Sequence, residues 1–384
     1  YAEHEEHLHK ENVPNLRFPE FSGEWEQSRL NRFASKITKK NKGNTISNVL
    51  SNSANYGIIP QIDFFDRSIA NSDNTEGYYV IEKNDFVYNP RKSASAPYGP
   101  INVYNGEACG IISPLYLCFK VKGINRRFLY HYFKSTKWHP YMYANGDSGA
   151  RHDRVSIKDE TFLELPIFHP GEAEQCKIVE LVESLDDRIA TQIKIIEDLK
   201  KLKSAISKTI FTGNKFECHQ TTLVDVADIY QPQTIPTSLL CEENEYNVYG
   251  ANGIIGKYSK YNHETSQICI ACRGNSCGAV NYSTPKSWIT GNAMVINTDG
   301  KDVDKRYLYH LLCTINFTPL ISGSGQPQIV RSPLEKMKIR LPNLPIQRNI
   351  SKVLDDIESK IEIEEEICKQ FMKQKSGLLS QMFI

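Results

Sequence analysis

Two groups of side chains in this 384-residue sequence have the types and spacing to recognise a nucleic acid. In the first half, Arg91, Lys92 and Ser93 stand close to Tyr98, and Arg151, His152 and Arg154 follow a glycine-bounded loop, Gly146–Gly149. In the second half come Lys257, Lys260, Arg273 and Asn275, then Gln326, Gln328 and Arg331 behind a second such loop, Gly323–Gly325. Arg, Lys, Gln and Asn can meet base edges with paired donors and acceptors, whereas Ser, Tyr and Lys hold phosphates. Any one of these residues alone would pass for a solvated side chain. Their recurrence at matching points of two halves makes them candidate DNA-binding residues.

Other chemistries leave no such trace. There is no GxxxxGK[ST] phosphate loop, no strand-linked GxGxxG, no HExxH and no GxSxG. Asn89-Pro90 is followed by Arg91 rather than an aromatic residue, so it departs from the Asn-Pro-Pro-Tyr type of adenine-methyltransferase signature and reads as a turn. No catalytic residue is assigned. Cys269 and Cys272 form a CxxC with Cys277 five residues on, but no second CxxC or nearby His completes a zinc set, and no metal is assigned. Ten scattered cysteines without a disulfide pattern fit a reducing cytosol, so a cytoplasmic location is expected. No apolar run reaches the ~20 residues of a membrane span. With 46 basic against 45 acidic residues, the chain is not a generally basic nucleic-acid coat, which leaves room for local patches. Tyr1–Asn12 is polar and acidic, has no signal-peptide core, and reads as a disordered leader.

The elements that must position the candidates are organised by a repeat. Residues 175–211 and 347–383 align without gaps at an offset of 172, and both follow one heptad register. The first stripe is Val182, Leu185, Ile189, Gln192, Ile196, Leu199, Lys203, Ile206 and Ile210. The second is Leu354, Ile357, Ile361, Glu364, Cys368, Phe371, Lys375, Leu378 and Met382, with its polar breaks at the same places. Spacings of three and four keep one narrow stripe toward a partner helix, and ~36 residues at ~1.5 Å each make a rod of roughly 54 Å. Two such helices in one chain are expected to pack as an intramolecular coiled coil.

The repeat continues upstream. Arg126–His131 resembles Lys305–His310 as a short helix, Gly146–Ala150 resembles Ser322–Gln326, and Tyr56–Ile59 echoes Gly250–Ile255. Trp25–Phe33 and Thr222–Ile229 read as matching short helices near each start. The runs Tyr78–Tyr88, Gly110–Val121 and Gln267–Ala271 are β-branched and aromatic, punctuated by Gly, Pro and Asn, and read as strands of a twisted sheet. The expected fold is thus α/β (α+β): a tandem repeat of two mixed globular halves, each followed by a long helix. The boundaries expected are a leader 1–12, a first domain 13–171, a helix 172–213, a second domain 214–343 and a helix 344–384.

This arrangement resembles the specificity subunit of a type I restriction–modification system over about residues 13–384. The opening Val13–Trp25 is similar to the start of such subunits from Gram-positive bacteria. The Leu165-Pro166 to Gln175 and Leu341-Pro342 to Gln347 entries to the helices carry the likeness further, with four more residues in the first. The resemblance implies two target recognition domains held by an antiparallel helical spacer with a pseudo-two-fold, reading an asymmetric bipartite site on double-stranded DNA. Heads facing one side of a duplex address sites about one helical turn apart, ~34 Å. The resemblance also implies a subunit without catalysis of its own. Two methylation subunits would bring S-adenosylmethionine and adenine-N6 methylation, and two restriction subunits would bring ATP, Mg and endodeoxyribonuclease activity. A coiled-coil scaffold joining two protein-interaction modules is the alternative.

Overall fold

The computed structural model describes residues 12–64, 75–148, 153–213, 216–323 and 325–384. Two compact units make up the fold. One holds the chain up to Thr191 together with Cys368–Ile384, the other Gln192–Ile367.

In the first unit, Ala34–Lys36, Leu117–Val121, Phe86–Tyr88 and Ile101–Val103 lie in that order in an antiparallel sheet. A second sheet carries Gly57–Pro60, Val49–Ser53, Gly110–Ile112 and Tyr79–Ile81, with one parallel pairing between Val49–Ser53 and Gly110–Ile112. The aromatic runs 78–88 and 110–121 therefore each give one strand to each sheet. The two-residue period of a strand sorts their side chains into two cores. Phe86, Tyr88 and Phe119 pack with Phe128, Leu129 and Tyr132 of the helix Arg126–Lys134, while Val87 and Cys118 face Leu50, Ile81 and Ile112.

The second unit repeats this plan. Asp228–Tyr230, Ala293–Asn297, Ile268–Ala271 and Val280–Tyr282 form the antiparallel sheet, and Gly253–Tyr258, Tyr246–Gly250 and Trp288–Ile289 form the other, again with one parallel pairing. Ile268, Ile270 and Ile296 pack with Leu308 and Leu312 of the helix Lys305–Leu312; Cys269 and Val295 turn toward Tyr249 and Ile289. Alternation also disposes of the CxxC, because Cys269 belongs to one core and Cys272 to the other. Burial pushes the Cys269 thiol up to about 12 and raises that of Cys272, so both stay protonated.

Two expectations need correction. Trp25–Phe33 is not a helix: Glu26–Arg29 is a strand paired antiparallel with Pro166–His169, followed by a 3₁₀ turn at Leu30–Arg32 that buries Leu30. Thr222–Ile229 is helical only at Leu223–Val226, where Thr222 and Asp225 form a capping box; His219–Thr222 before it pairs with Lys338–Leu341. Nine residues are too few to hold a helix against a strand partner that takes every second backbone group. The second correction concerns the helix entry. Gln175 Nε2 donates to Pro170 O at 2.8 Å, and Gln347 Nε2 donates to Pro342 O at 2.8 Å. Pro170, not Pro166, is therefore the counterpart of Pro342, and there are no extra residues in the first entry. Pro166 opens the strand Pro166–His169, where a missing N–H is tolerated.

The long helices span Glu172–Thr212 and Leu344–Met382 and run antiparallel in both units. Leu185, Ile196 and Ile361 are buried along them; Ile189, Leu199, Ile206, Ile357, Phe371 and Leu378 are half-buried. The polar breaks in the stripe find partners. In the second unit Lys203 Nζ meets Glu358 at 2.7 Å, and in the first Lys375 meets Asp186. These are one interaction written twice, since 375 and 186 are the counterparts of 203 and 358 at the 172-residue offset. Gln192 donates to Glu364, to its carbonyl at 3.2 Å and to its carboxylate, and these two are counterparts of each other. No described helix is long and apolar enough to cross a membrane. Residues 1–11 of the expected leader lie outside the described residues; Asn12 is placed by a bond from Trp25 N to its carbonyl, 2.8 Å.

Candidate nucleic-acid interface

The strand Phe86–Tyr88 ends in Asn89, whose Oδ1 accepts from Arg91 N at 3.0 Å and so closes the Asn-Pro-Arg turn. The chain then pairs briefly with the segment around Arg154. Val155 N donates to Pro90 O at 2.9 Å, Lys92 N donates to Asp153 O at 2.8 Å, and Arg91 and Arg154 stand opposite each other between these bonds. In an antiparallel ladder this is a non-hydrogen-bonded pair, whose side chains leave the same face and lie close together.

The second unit builds the same ribbon. Ile329 N donates to Cys272 O at 3.1 Å, Gly274 N donates to Pro327 O at 3.1 Å, and Arg273 and Gln328 stand opposite each other. Strand registers make the correspondence explicit. Phe86 opposite Val103 and Ile268 opposite Tyr282 occupy the same place in the two sheets, which puts Arg273 where Arg91 stands. Val155 and Ile329, buried beneath each ribbon, hold Arg154 and Gln328 outward.

The facing side chains of the two ribbons are exposed. Like charges placed directly opposite destabilise a ladder, yet Arg91 and Arg154 face each other. Among the described residues no ion pair engages Arg91, Arg154 or Arg273, although Arg17, Arg29, Arg32, Arg127 and Arg306 each have one. Such a pair suits an anionic or hydrogen-bond-accepting ligand. Beside it, a cleft of about 350 Å³ is lined by Asn52, Asn55, Tyr56, Asn89, Arg91 and Lys92. Its floor is fixed by a buried amide chain. Asn89 Nδ2 donates to Asn52 O at 2.9 Å, Asn102 Nδ2 to Asn52 Oδ1 at 2.6 Å, and Lys134 Nζ to Asn102 Oδ1 at 2.6 Å. Burial, then the Lys375 charge, brings the Lys134 ammonium down to about 8. Burial also raises the nearby Tyr116 phenol, against the pull of Arg154 and Arg91.

The remaining candidates fall elsewhere. Tyr98 packs its half-buried ring on Trp138 and His139. Arg331 begins a short helix and donates to Glu335 at 2.7 Å. Lys257 belongs to the hairpin at the edge of the other sheet, and Lys260 lies exposed just beyond its last strand residue, Tyr258. Asn275 and Gln326 are exposed in the loops flanking the second ribbon. Arg151 and His152 lie outside the described residues. Asn52, Asn55 and Tyr56 were not singled out from the sequence, although the polar run Ser51–Tyr56 between two strands, ending in a 70% exposed tyrosine, was a readable signal.

Each unit is also joined to the long helices in one way. Gln175 Oε1 accepts from Asn125 N at 3.0 Å, and Gln347 Oε1 accepts from Asp304 N at 2.9 Å. Arg127 pairs with Glu183, and Arg306 with Asp355 and Glu358. Arg306 also lies over the rings of Tyr282 and Tyr309, 4.5 and 4.8 Å from their centroids. Burial opposes its charge, but the two carboxylates outweigh it and raise its pKa. His310, Asp355 and Glu358 lie close enough to share a metal ion. Arg306 and Lys203 already occupy those carboxylates, so the cluster is a closed ion network.

The sequence and fold have relatives that fit this geometry. The model of the type I restriction modification DNA specificity domain matches residues 22–201 and again 217–371, and the chain belongs to that family. A Haemophilus influenzae protein, provisionally named a type I restriction enzyme specificity subunit, is 34% identical over 111 residues, 28% of each chain. The EcoprrI specificity subunit of Escherichia coli is 25% identical over 154 residues, 39% of this chain and 38% of that one. These matches span well under half the length of either relative. The crystal structure of a type I restriction–modification S subunit from M. genitalium shares the fold, with a TM-score of 0.61 at 15% identity, over 97% of this chain and 99% of that one.

Proposed function

We propose that the chain is the sequence-specific DNA-binding specificity subunit of a type I restriction–modification complex, with each globular half reading one half of an asymmetric bipartite target. The observation that carries this reading is the ribbon built twice, with its unpaired arginines exposed at the same register in both units. The division into heads at 13–171 and 214–343 and spacer helices at 172–213 and 344–384 belongs to this proposal. So does the Gram-positive type, which rests on Val13–Trp25.

The chain contributes recognition and no catalysis. Double-stranded DNA is its ligand, and two methylation and two restriction subunits are its partners in the cytoplasm. S-adenosylmethionine belongs to the former, ATP and Mg to the latter. Arg91, Lys92, Arg154, Arg273, Asn275 and Gln328 are the first candidates for DNA contact, with Lys257, Lys260 and Gln326 at the margins. Against the scaffold alternative stands the pair of facing arginines Arg91 and Arg154, exposed and without an ion pair among the described residues, which a protein-joining module has no need to keep.

The test is to express the chain with its methylation partner and map methylated adenines across host DNA. A two-part motif with an unread gap is the expected result. Methylation without a two-part motif, or none with the complex intact, contradicts the proposal.

A further inference from the structure

The two ribbons differ at one place. Arg91 and Arg273 are the same residue at the same register, whereas opposite them stand Arg154 in the first unit and Gln328 in the second. The hydrogen bonds to the arginine strand match one for one, so both positions face their arginine in the same way; Gln328 is in addition paired on its other side with Ser322, whose N donates to Gln328 O at 2.8 Å. Both side chains are exposed, and neither has a side-chain partner among the described residues.

From this equivalence we infer that position 154/328 is a specificity-determining position that reads a base edge: Arg154 selects a guanine in the first half-site, and Gln328 selects an adenine at the corresponding place in the second. The inference rests on the DNA-reading function proposed above and adds which residue chooses the base.

The argument is one of charge and shape. A residue whose role is to hold a phosphate serves every duplex equally, and a cation does so best, although a carboxamide N–H can also donate to a phosphate oxygen. A neutral glutamine at the place of an arginine, opposite the same arginine partner, gives up the charge attraction. What arginine and glutamine share is a flat, two-pronged end. The guanidinium offers two donors, which match guanine O6 and N7; the carboxamide offers one acceptor and one donor, which match adenine N6 and N7. The anchoring of each segment also fits reading. Val155 and Ile329 are buried directly beside them, which fixes the direction of the prong, and a bidentate contact tolerates little angular freedom. The shared arginine opposite supplies the positive potential in both units, so the variable position is free to differ.

Two substitutions exchange the prongs, Arg154→Gln and Gln328→Arg, and are read in the complete complex by mapping methylated adenines. The expected result is that Arg154→Gln changes one position of one half-site from guanine toward adenine and leaves the other half-site intact. Gln328→Arg should do the reverse in the other half-site. Discrimination at the altered position should shift roughly 5- to 150-fold, the worth of one bidentate base contact. A third variant, Arg154→Lys, keeps the charge and loses the fork; it should degrade base choice at that position. A uniform loss of affinity for all sequences in Arg154→Gln, with base choice unchanged, assigns the residue to phosphate and overturns the inference. Unaltered motifs in both exchanged variants overturn it as well. The wild-type map separates this from failure of the underlying function, because a two-part wild-type motif with no response to the exchanges refutes only the base assignment. Thermal unfolding of the variants, expected to match the wild type, checks that the exposed ribbons remain folded.

Discussion

Arg127 meets Glu183 and Arg306 meets Asp355 where each globular half rests on the long helices, and the glutamine bridge, the arginine–acid pair and the buried histidine beside them recur in plan. At the ribbons the backbone recurs equally well, but the side chains part: two arginines face each other in one unit, an arginine and a glutamine in the other. The joint must satisfy a buried helix end, a glutamine bridge and an ion pair together, and few side chains can replace those present. The ribbon asks only that the backbone be fixed beneath, so its outward side chains are free to diverge. The two halves thus keep what supports the ribbons and differ in the side chains the ribbons present.

The joints are alike in plan and unlike in strength, which can be tested by substitution. Arg306 is half-buried between two tyrosines and holds two carboxylates, so Arg306→Ala leaves Glu358 to Lys203 and Asp355 to His310 alone and should cost about 2–3 kcal/mol in unfolding of the second unit, measured by denaturant titration. A loss no larger than that of its counterpart would make the two joints equal. His131 and His310 come next. His131 is fully buried at 3.8 Å from Glu183, and burial, with the Lys375 charge beside it, brings its pKa down to about 4. His310 is also lowered by burial, but bonds Asp355 at 2.7 Å, which opposes the shift. The native fold resists a proton that the unfolded chain accepts near pH 6.5, so the stability His131 contributes is full above that pH and is lost as pH falls toward 4. Between pH 7 and 5 the loss should be about 2 kcal/mol. His131→Leu should remove that part of the acid sensitivity; an unchanged pH slope would contradict the assignment. Smallest is Arg127→Ala, below about 1 kcal/mol because the pair with Glu183 is half in solvent. Hydrogen exchange along Arg126–Lys134 would reveal a larger effect if there is one.

The long helices were legible because a heptad stripe is a local, periodic signal. The two short helices at 126 and 305 were legible for the same reason. The breaks at Gln192, Lys203, Glu364 and Lys375 were visible as breaks; Gln192 and Glu364 meet each other on the stripe, but Glu358 and Asp186, the partners of Lys203 and Lys375, lie off it, and nothing local marks them. Leu165-Pro166 misled because it imitates Leu341-Pro342 in type while Pro170 matches it in position. Trp25–Phe33 misled because its strand partner lies more than a hundred residues away. The ribbons were half legible: Arg91, Arg154, Arg273 and Gln328 stood out by type, but their pairing spans 63 and 55 residues of chain and depends on sheet register. Tyr98 and Arg331 stood out for the same reason of type; the Tyr98 ring packs on Trp138, and Arg331 bonds Glu335 on the surface.

The central claim, that the two units read separate halves of one target, is tested most directly by competition binding of the intact complex. The DNA competitors carry the mapped target with one half scrambled at a time, and the proteins are wild type, Arg154→Ala and Gln328→Ala. The account predicts that Arg154→Ala loses part of its sensitivity to scrambling of one half and keeps full sensitivity to the other, while Gln328→Ala shows the opposite pattern, each losing ~1–3 kcal/mol on the intact target. If both variants lose sensitivity to the same half, or neither loses any, the two ribbons are not separate readers and the account is wrong.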